Sequence, residues 1–253
     1  EANKLAELFS ATSFFKESAP IALVSRVDDR QFGPVFMNLF ETQFTRVIQM
    51  CKSFATFNSI NECDKLTLIK GGAFNVFTMR TVPYYDRTNH AWTITLNNES
   101  TVMFDLKLFK RFPTNVFVWL KKFLNQIDQE WETDIIVLDL LTAIVLFNPD
   151  RPNLEHKNFV KLQQNIYMYL LQRYLAVRYQ SQTESTLKFV KLLNCLKVLN
   201  VLSDNLRLSM EYKDPDHVPP LMKDILDINE KRSGNTCDGC AGATVTSNNI
   251  VVF

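Results

Sequence analysis

Residues 50–80, MCKSFATFNSINECDKLTLIKGGAFNVFTMR, decide how this chain folds. Lys52 rides on one helix, an irregular turn follows through Asn58, Ser59 and Asn61, and from Asp64 an apolar helix runs to Arg80, where Pro83 helps to end it. Arg80 is the one strong charge near the end of a run that holds Phe74, Val76, Phe77 and Met79. A cation in such surroundings is costly unless an anionic or hydrogen-bonding group meets it. The segment therefore asks for a partner, which on the residues alone reads as a backbone carbonyl that Arg80 would tie to a helix end.

Upstream, a helix starts near Pro34, a residue suited to a first helical turn, and carries Val35, Phe36, Leu39, Phe40, Phe44, Val47 and Ile48 on a broad apolar face with Gln43 in the same sector. Residues 1–16 read as a helix with Leu5, Leu8, Phe9 and Phe14 inward, and 17–30 as a connection. Downstream, the β-prone runs 91–96 and 101–104 flank the polar turn Asn97-Asn98-Glu99-Ser100, which predicts one short hairpin. Helices follow at 114–126, 134–147, 154–179 and 183–210, and Pro215, Pro219 and Pro220 precede a last short helix over 221–228. No Pro interrupts 153–214, so the architecture is expected to be all-α around that hairpin.

A chain of 253 residues builds one large domain with a substantial core. With 46% apolar residues and 20 Phe, much aromatic area must be buried or line a cavity. A net charge of +1 argues against a nucleic-acid module, because no single-sign field steers a polyanion. Five scattered Cys suit a reducing compartment better than a disulfide framework. Neither a membrane span nor a signal peptide is readable, and with Glu1 first the chain reads as a piece of something longer. Enzyme motifs are missing too: His90, His156 and His217 fall in loops or at helix ends, with no nucleophile elbow and no phosphate-binding glycine loop. The tail, 229–253, is rich in Asn, Ser, Thr and Gly and reads as disordered. Its Cys237 and Cys240 have the spacing of half a zinc site but no second pair. The ordered domain is placed at 1–228.

The spacing of Lys52, Phe57, Ile60, Asp64, Leu68 and Ile69 resembles the signature of nuclear-receptor ligand-binding domains. The separation of Arg80 from Trp92, and Phe147-Asn148-Pro149-Asp150-Arg151-Pro152 as an interhelical turn, resemble the vitamin D receptor group and its invertebrate relatives, which include the nematode steroid-acid receptor. The likeness runs from about Phe32 to Asp227. It implies a three-layer antiparallel helical sandwich with one hairpin, no enzymatic activity, no cofactor in this chain, and a zinc-bearing DNA-binding module elsewhere in a nuclear protein.

The resemblance also implies sites. Arg80 would bind a hydroxyl or carboxylate of a sterol-like ligand, with Gln43 as a second polar contact, which favours an acidic or multiply oxygenated sterol. Trp92 would pack on the ligand's apolar body, and Leu39, Phe40, Phe44, Phe74, Phe77, Thr78, Thr81 and Ile94 would complete the wall. Asn200, Ser203 and Met210, on one face of the last long helix with Arg207, would reach the far end of the cavity. Ser203 stands where the vitamin D receptor has a histidine, and a shorter hydroxyl reaches less far.

Leu221-Met222-Lys223-Asp224-Ile225-Leu226 resembles the activation helix, with Met222 and Leu226 towards the ligand. Asp224 occupies a position usually held by Glu. Lys52, Lys70 and Asp224 would cap the ends of a coactivator Leu-x-x-Leu-Leu helix, beside Ile48 and Leu221. A stripe of Leu187, Val190, Lys191, Asn194 and Lys197 lies where the family dimerises, which implies a retinoid X receptor-type heterodimer or a homodimer. DNA is reached only through the separate module, and no membrane is involved. The alternative reading is a constitutive dimerisation and corepressor-binding module whose pocket is filled by its own side chains.

Overall fold

The computed structural model describes residues 1–15, 24–97, 100–211 and 213–228. The expected disordered tail, with Cys237 and Cys240, lies outside these residues, as does part of the connection assigned to 17–30.

The first helix, α1 (Ala2–Thr12), continues into a 3-10 turn over Ser13–Phe15. Leu8, Ala11, Thr12 and Phe15 are buried, whereas Phe9 and Phe14 are exposed. Both aromatics were expected inward; the buried set repeats at three and four residues, and neither falls on that stripe.

α2 (Phe32–Ser53) buries Phe36, Leu39, Phe40, Gln43, Phe44, Val47 and Ile48 along one face. Its chain turns at Phe54 into α3 (Ala55–Asn58), a single helical turn that the sequence did not show, and the irregular turn expected through Asn58, Ser59 and Asn61 follows at its end. α4 (Glu62–Thr81) is N-capped by Asn61, whose side-chain oxygen accepts from the Asp64 amide at 2.7 Å, and Glu62 and Asp64 suit the positive end of the helix. Apart from its first two turns α4 is buried on nearly every face, so it belongs to a middle layer.

After a 3-10 turn (Val82–Tyr84) come β2 (Tyr85–Asp86), β3 (Ala91–Asn97) and β4 (Ser100–Asp105); β1 (Val24–Arg26) precedes α2. The predicted hairpin is β3–β4, pairing Trp92 with Phe104 and Ile94 with Val102. It is widened into a four-stranded sheet, in the order β1-β4-β3-β2, by two short strands that sequence reasoning missed. β1 is three residues long and exposed throughout, so it leaves no alternation to read.

A 3-10 stretch (Leu106–Arg111) leads to α5 (Val116–Trp131), α6 (Ile135–Leu146), α7 (Lys157–Tyr179), α8 (Gln182–Glu211) and, after Pro219, α9 (Pro220–Leu226). α1 and α2 pack on one side of α4 and α6; α7 continues the middle layer, and α5 and α8 cover the other side. α6 is apolar all round except for Asp139 and Thr142, both buried. The three-layer helical sandwich therefore stands as expected, with one core running through it.

Candidate functional site

Where α2, α4, the hairpin, α5 and α8 converge, a small cavity of about 20 Å³ is lined by Phe36, Leu39, Phe77, Thr78, Thr81, Trp92, Phe104, Phe109, Leu120 and Leu206. That is room for about one water molecule. Aromatic rings fill the rest. Phe36 stands edge-on to Phe109 at 5.2 Å and to Phe77 at 6.1 Å, and Trp92 stacks on Phe104 at 5.5 Å across the hairpin register. Such offset and edge contacts are favourable ring geometries, and together they close the space.

Of the expected wall, Leu39, Phe77, Thr78, Thr81 and Trp92 do line this cavity. Phe40, Phe44 and Phe74 instead pack on one another, with centroids 5.1–5.3 Å apart. Gln43, Ile94, Met210, Met222 and Leu226 are buried but not on the cavity surface. Phe36, Phe104, Phe109, Leu120 and Leu206 were not singled out as site residues; each belongs to an apolar run whose pattern gives burial but not which buried ring faces a void.

Arg80 does not face the cavity. Its Nη1 donates to Asp139 Oδ1 at 2.5 Å and reaches Thr142 Oγ1 at 3.5 Å, and its guanidinium sits 4.9 Å from the Phe15 ring centre. Among the described residues, the partner that the sequence asks for is thus a carboxylate of α6 rather than a backbone carbonyl. A lone acid inside the apolar run IIVLDLLTAIVL was the available signal.

Asn200 belongs to another network. Asn75 Nδ2 donates to Asn200 Oδ1 at 2.8 Å, and Arg151 Nη2 donates to Asn75 Oδ1 at 2.9 Å, tying α8, α4 and the turn after α6 together. Burial pulls the Arg151 guanidinium down to about 10, the Asp204 carboxylate opposing and Arg207 adding to the fall. Gly71 makes room for this arginine: a Cβ there would stand 2.7 Å from Arg151 Cδ. Ser203 is buried with its hydroxyl unpartnered among the described residues, and it does not line the cavity.

α9 packs across α2 and α4 and buries Leu221, Met222, Ile225 and Leu226. Arg207, which shares a face of the last long helix with Asn200, Ser203 and Met210, holds it there, donating from Nη1 to Lys70 O at 3.1 Å and from Nη2 to Ile225 O at 3.2 Å. Glu41 adds an acceptor for the Leu221 amide at 3.2 Å. Lys52 is exposed at the end of α2, the Lys70 ammonium meets Asp227, and Asp224 keeps one buried carboxylate oxygen without a partner among the described residues. Ile48 and Leu221 are buried nearby in the same helices.

Asp64, read in the sequence only as part of a signature, is fully buried and accepts from the amides of Glu155 at 2.7 Å and His156 at 2.9 Å. It thereby fixes the N-terminus of α7 to that of α4. Among the described residues there is no cluster of metal-ligating side chains, and no helix is long and apolar enough to cross a membrane.

No protein-family model matches the chain. Nuclear hormone receptor HR96 of Drosophila melanogaster is 31% identical over 207 residues, 79% of this chain and 28% of that protein. The ecdysone receptor of Lucilia cuprina is 28% identical over 185 residues, 72% of this chain and 24% of the receptor, and that of Chironomus tentans is 26% identical over 207 residues, 81% and 37%. The chain thus spans 24–37% of the length of these relatives. Three helical layers, a hairpin beside an apolar cavity and a short terminal helix lying over α2 and α4 define a ligand-binding domain of the nuclear-receptor type. Within that type, the chain is a nuclear receptor ligand-binding domain related to HR96 and the ecdysone receptors, a non-enzymatic family.

Proposed function

We infer that this domain serves a nuclear transcription factor by recruiting the Leu-x-x-Leu-Leu helix of a coactivator to the groove between α2, α4 and α9, under control of a sterol-like ligand in the aromatic cavity. One observation carries the reading: α9 is held by Arg207 against α4, and lies across the two helices that bear Lys52 and Lys70. Lys52 meets the C-terminal carbonyls of the coactivator helix and Asp224 its N-terminal amides, each charge complementing a helix end. Ligand binding shifts the population of α9 towards this docked position. The separation of Arg80 from Trp92 supports a place in the vitamin D receptor-type group. The exposed stripe of Leu187, Val190, Lys191, Asn194 and Lys197 on α8 supports pairing with a retinoid X receptor-type partner or a second copy, and DNA contacts belong to another part of the protein.

A second reading rests on the cavity itself. With about 20 Å³ free and Arg80 already paired, α9 would stay docked without ligand, and the domain would act as a constitutive dimerisation and coregulator module that also takes corepressors. Titration of a fluorescent Leu-x-x-Leu-Leu peptide, with and without sterols, separates the two. Sterol-dependent binding that falls several-fold in Lys52→Ala is expected; sterol-independent binding supports the second reading, and no binding in either condition removes both.

A further inference from the structure

We propose that the ligand of the aromatic cavity is neutral, and that a carbonyl or hydroxyl oxygen on it is anchored by the indole N–H of Trp92 and the hydroxyl of Thr78 rather than a carboxylate by Arg80. The inference rests on the ligand-controlled reading above. Thr78 and Trp92 are 3% and 2% exposed, both line the cavity, and Thr78 Oγ1 and Trp92 Nε1 are buried with no hydrogen-bond partner among the described residues. Other buried polar atoms share that lack, Trp131 Nε1 and Tyr167 Oη among them, but they do not line this cavity. A helical threonine ordinarily returns its hydroxyl to a carbonyl one turn back, as Thr142 does to Leu138 O at 2.8 Å and Thr81 to Thr78 O at 2.9 Å. Thr78 makes no such bond, so its hydroxyl is left with its hydrogen-bonding capacity unused.

A buried indole N–H and a buried hydroxyl left unpaired each cost free energy, and an oxygen atom brought into the cavity that both residues line would recover part of it. Trp92 can only donate, so the guest must accept; Thr78 both donates and accepts, so a ketone or an alcohol satisfies the pair. The free volume suits one oxygen-sized group, and the apolar body of the ligand takes space now filled by Phe36, Phe77 and Phe109. A carboxylate fits badly. No cation lines the cavity, and Arg80, whose charge would be needed, is neutralised by Asp139 at 2.5 Å. An acid would therefore bury an unpaired charge.

The test compares cholestenone, whose only polar group is a ketone, with cholanic acid, whose only polar group is a carboxylate, on the wild-type domain, Thr78→Val and Trp92→Phe. Each variant is first checked by thermal melting, and binding is read by competition with a fluorescent sterol. Tighter binding of cholestenone is expected, weakened roughly three- to tenfold by either substitution, the change that loss of one neutral hydrogen bond brings, with cholanic acid unaffected. Tighter binding of cholanic acid, or cholestenone binding that both folded variants retain in full, overturns the anchor. Binding of neither sterol while the coactivator peptide still binds also overturns it and leaves the docking groove standing. Sterol binding as expected without peptide binding supports the anchor while the groove falls.

Discussion

Arg80 and Asp139 form a buried ion pair, Nη1 to Oδ1 at 2.5 Å, that joins the last turn of α4 to the middle of α6, with side chains only 5% and 7% exposed. Breaking such a pair from one side leaves a stranded charge, which costs about 3–5 kcal/mol. Arg80→Met and Asp139→Leu are each expected to lower the midpoint of urea unfolding strongly. The double variant, with both charges gone, is expected to recover most of the loss. A double-mutant cycle checks this: additive losses would mean that the two residues act separately.

The fold was largely legible because its signals are local. Pro34, Pro83 and Pro219 mark helix ends, and the Asn97-Asn98 turn marks the hairpin. The site was less so. Sequence shows that Arg80 needs an anion, but the two residues are 59 positions apart, and only packing of α4 on α6 brings Asp139 to it. Likewise, Phe40 and Phe77 both read as apolar α-helical positions. Phe40 is enclosed by Phe44 and Phe74 while Phe77 lines a cavity shared with Trp92, a difference of tertiary neighbours that periodicity does not carry.

Gly71 gives a prediction with a change of sign. Gly71→Ala should gain about 0.8–1 kcal/mol of helix propensity. In the native chain, however, its Cβ would come within 2.7 Å of Arg151 Cδ, whose guanidinium is tied to Asn75. The substitution is therefore expected to destabilise the wild-type chain and to stabilise an Arg151→Ala background. Chemical denaturation of the four proteins measures it, and a destabilisation of equal size in both backgrounds would exclude the steric account.

Glu132, at a left-handed backbone position (φ 52°) after α5, accepts from Lys188 at 2.6 Å, Arg178 at 3.1 Å and Tyr179 at 3.0 Å. The Lys188 hydrogen bond, against some opposition from burial and with help from Tyr179, holds its carboxyl below the ordinary range. A depressed folded value means stability that is full above the unfolded carboxylate value and is lost as pH falls through the folded one. The melting temperature of the wild type minus that of Glu132→Gln should thus be positive near neutrality and shrink on acidification. A difference independent of pH would show that shape, not charge, matters at this position.

Asp64 anchors the start of α7 through the amides of Glu155 and His156, and it is fully buried. Asp64→Asn presents an amide donor to one of those two N–H groups and removes the charge from the other. With hydrogen bonds to a charged group contributing about 1.5–3 kcal/mol each, a loss of about 3 kcal/mol is expected. Hydrogen exchange should speed first at residues 155–160, ahead of the cavity wall. Uniform loss of protection across α4 and α6 would instead assign Asp64 to the stability of the whole core.

Arg207 bears on the terminal helix. Its two donors end on the carbonyls of Lys70 and Ile225, so one side chain of α8 links α4 to α9. Its Nη2 also lies 3.9 Å from Asp227 Oδ2, beside the Lys70–Asp227 pair. Arg207→Ala removes both links and leaves the apolar contacts of Leu221, Met222, Ile225 and Leu226 in place. The helix should then undock more often: faster exchange in 220–226, unchanged exchange in α4 and α8, and weaker peptide recruitment. A loss of about 1–3 kcal/mol in the docking equilibrium, the range for such hydrogen bonds, corresponds to roughly a fivefold to hundredfold rise in undocking. If recruitment is unchanged while the 220–226 amides exchange freely, α9 is not part of the groove, and the coactivator must dock on α2 and α4 alone.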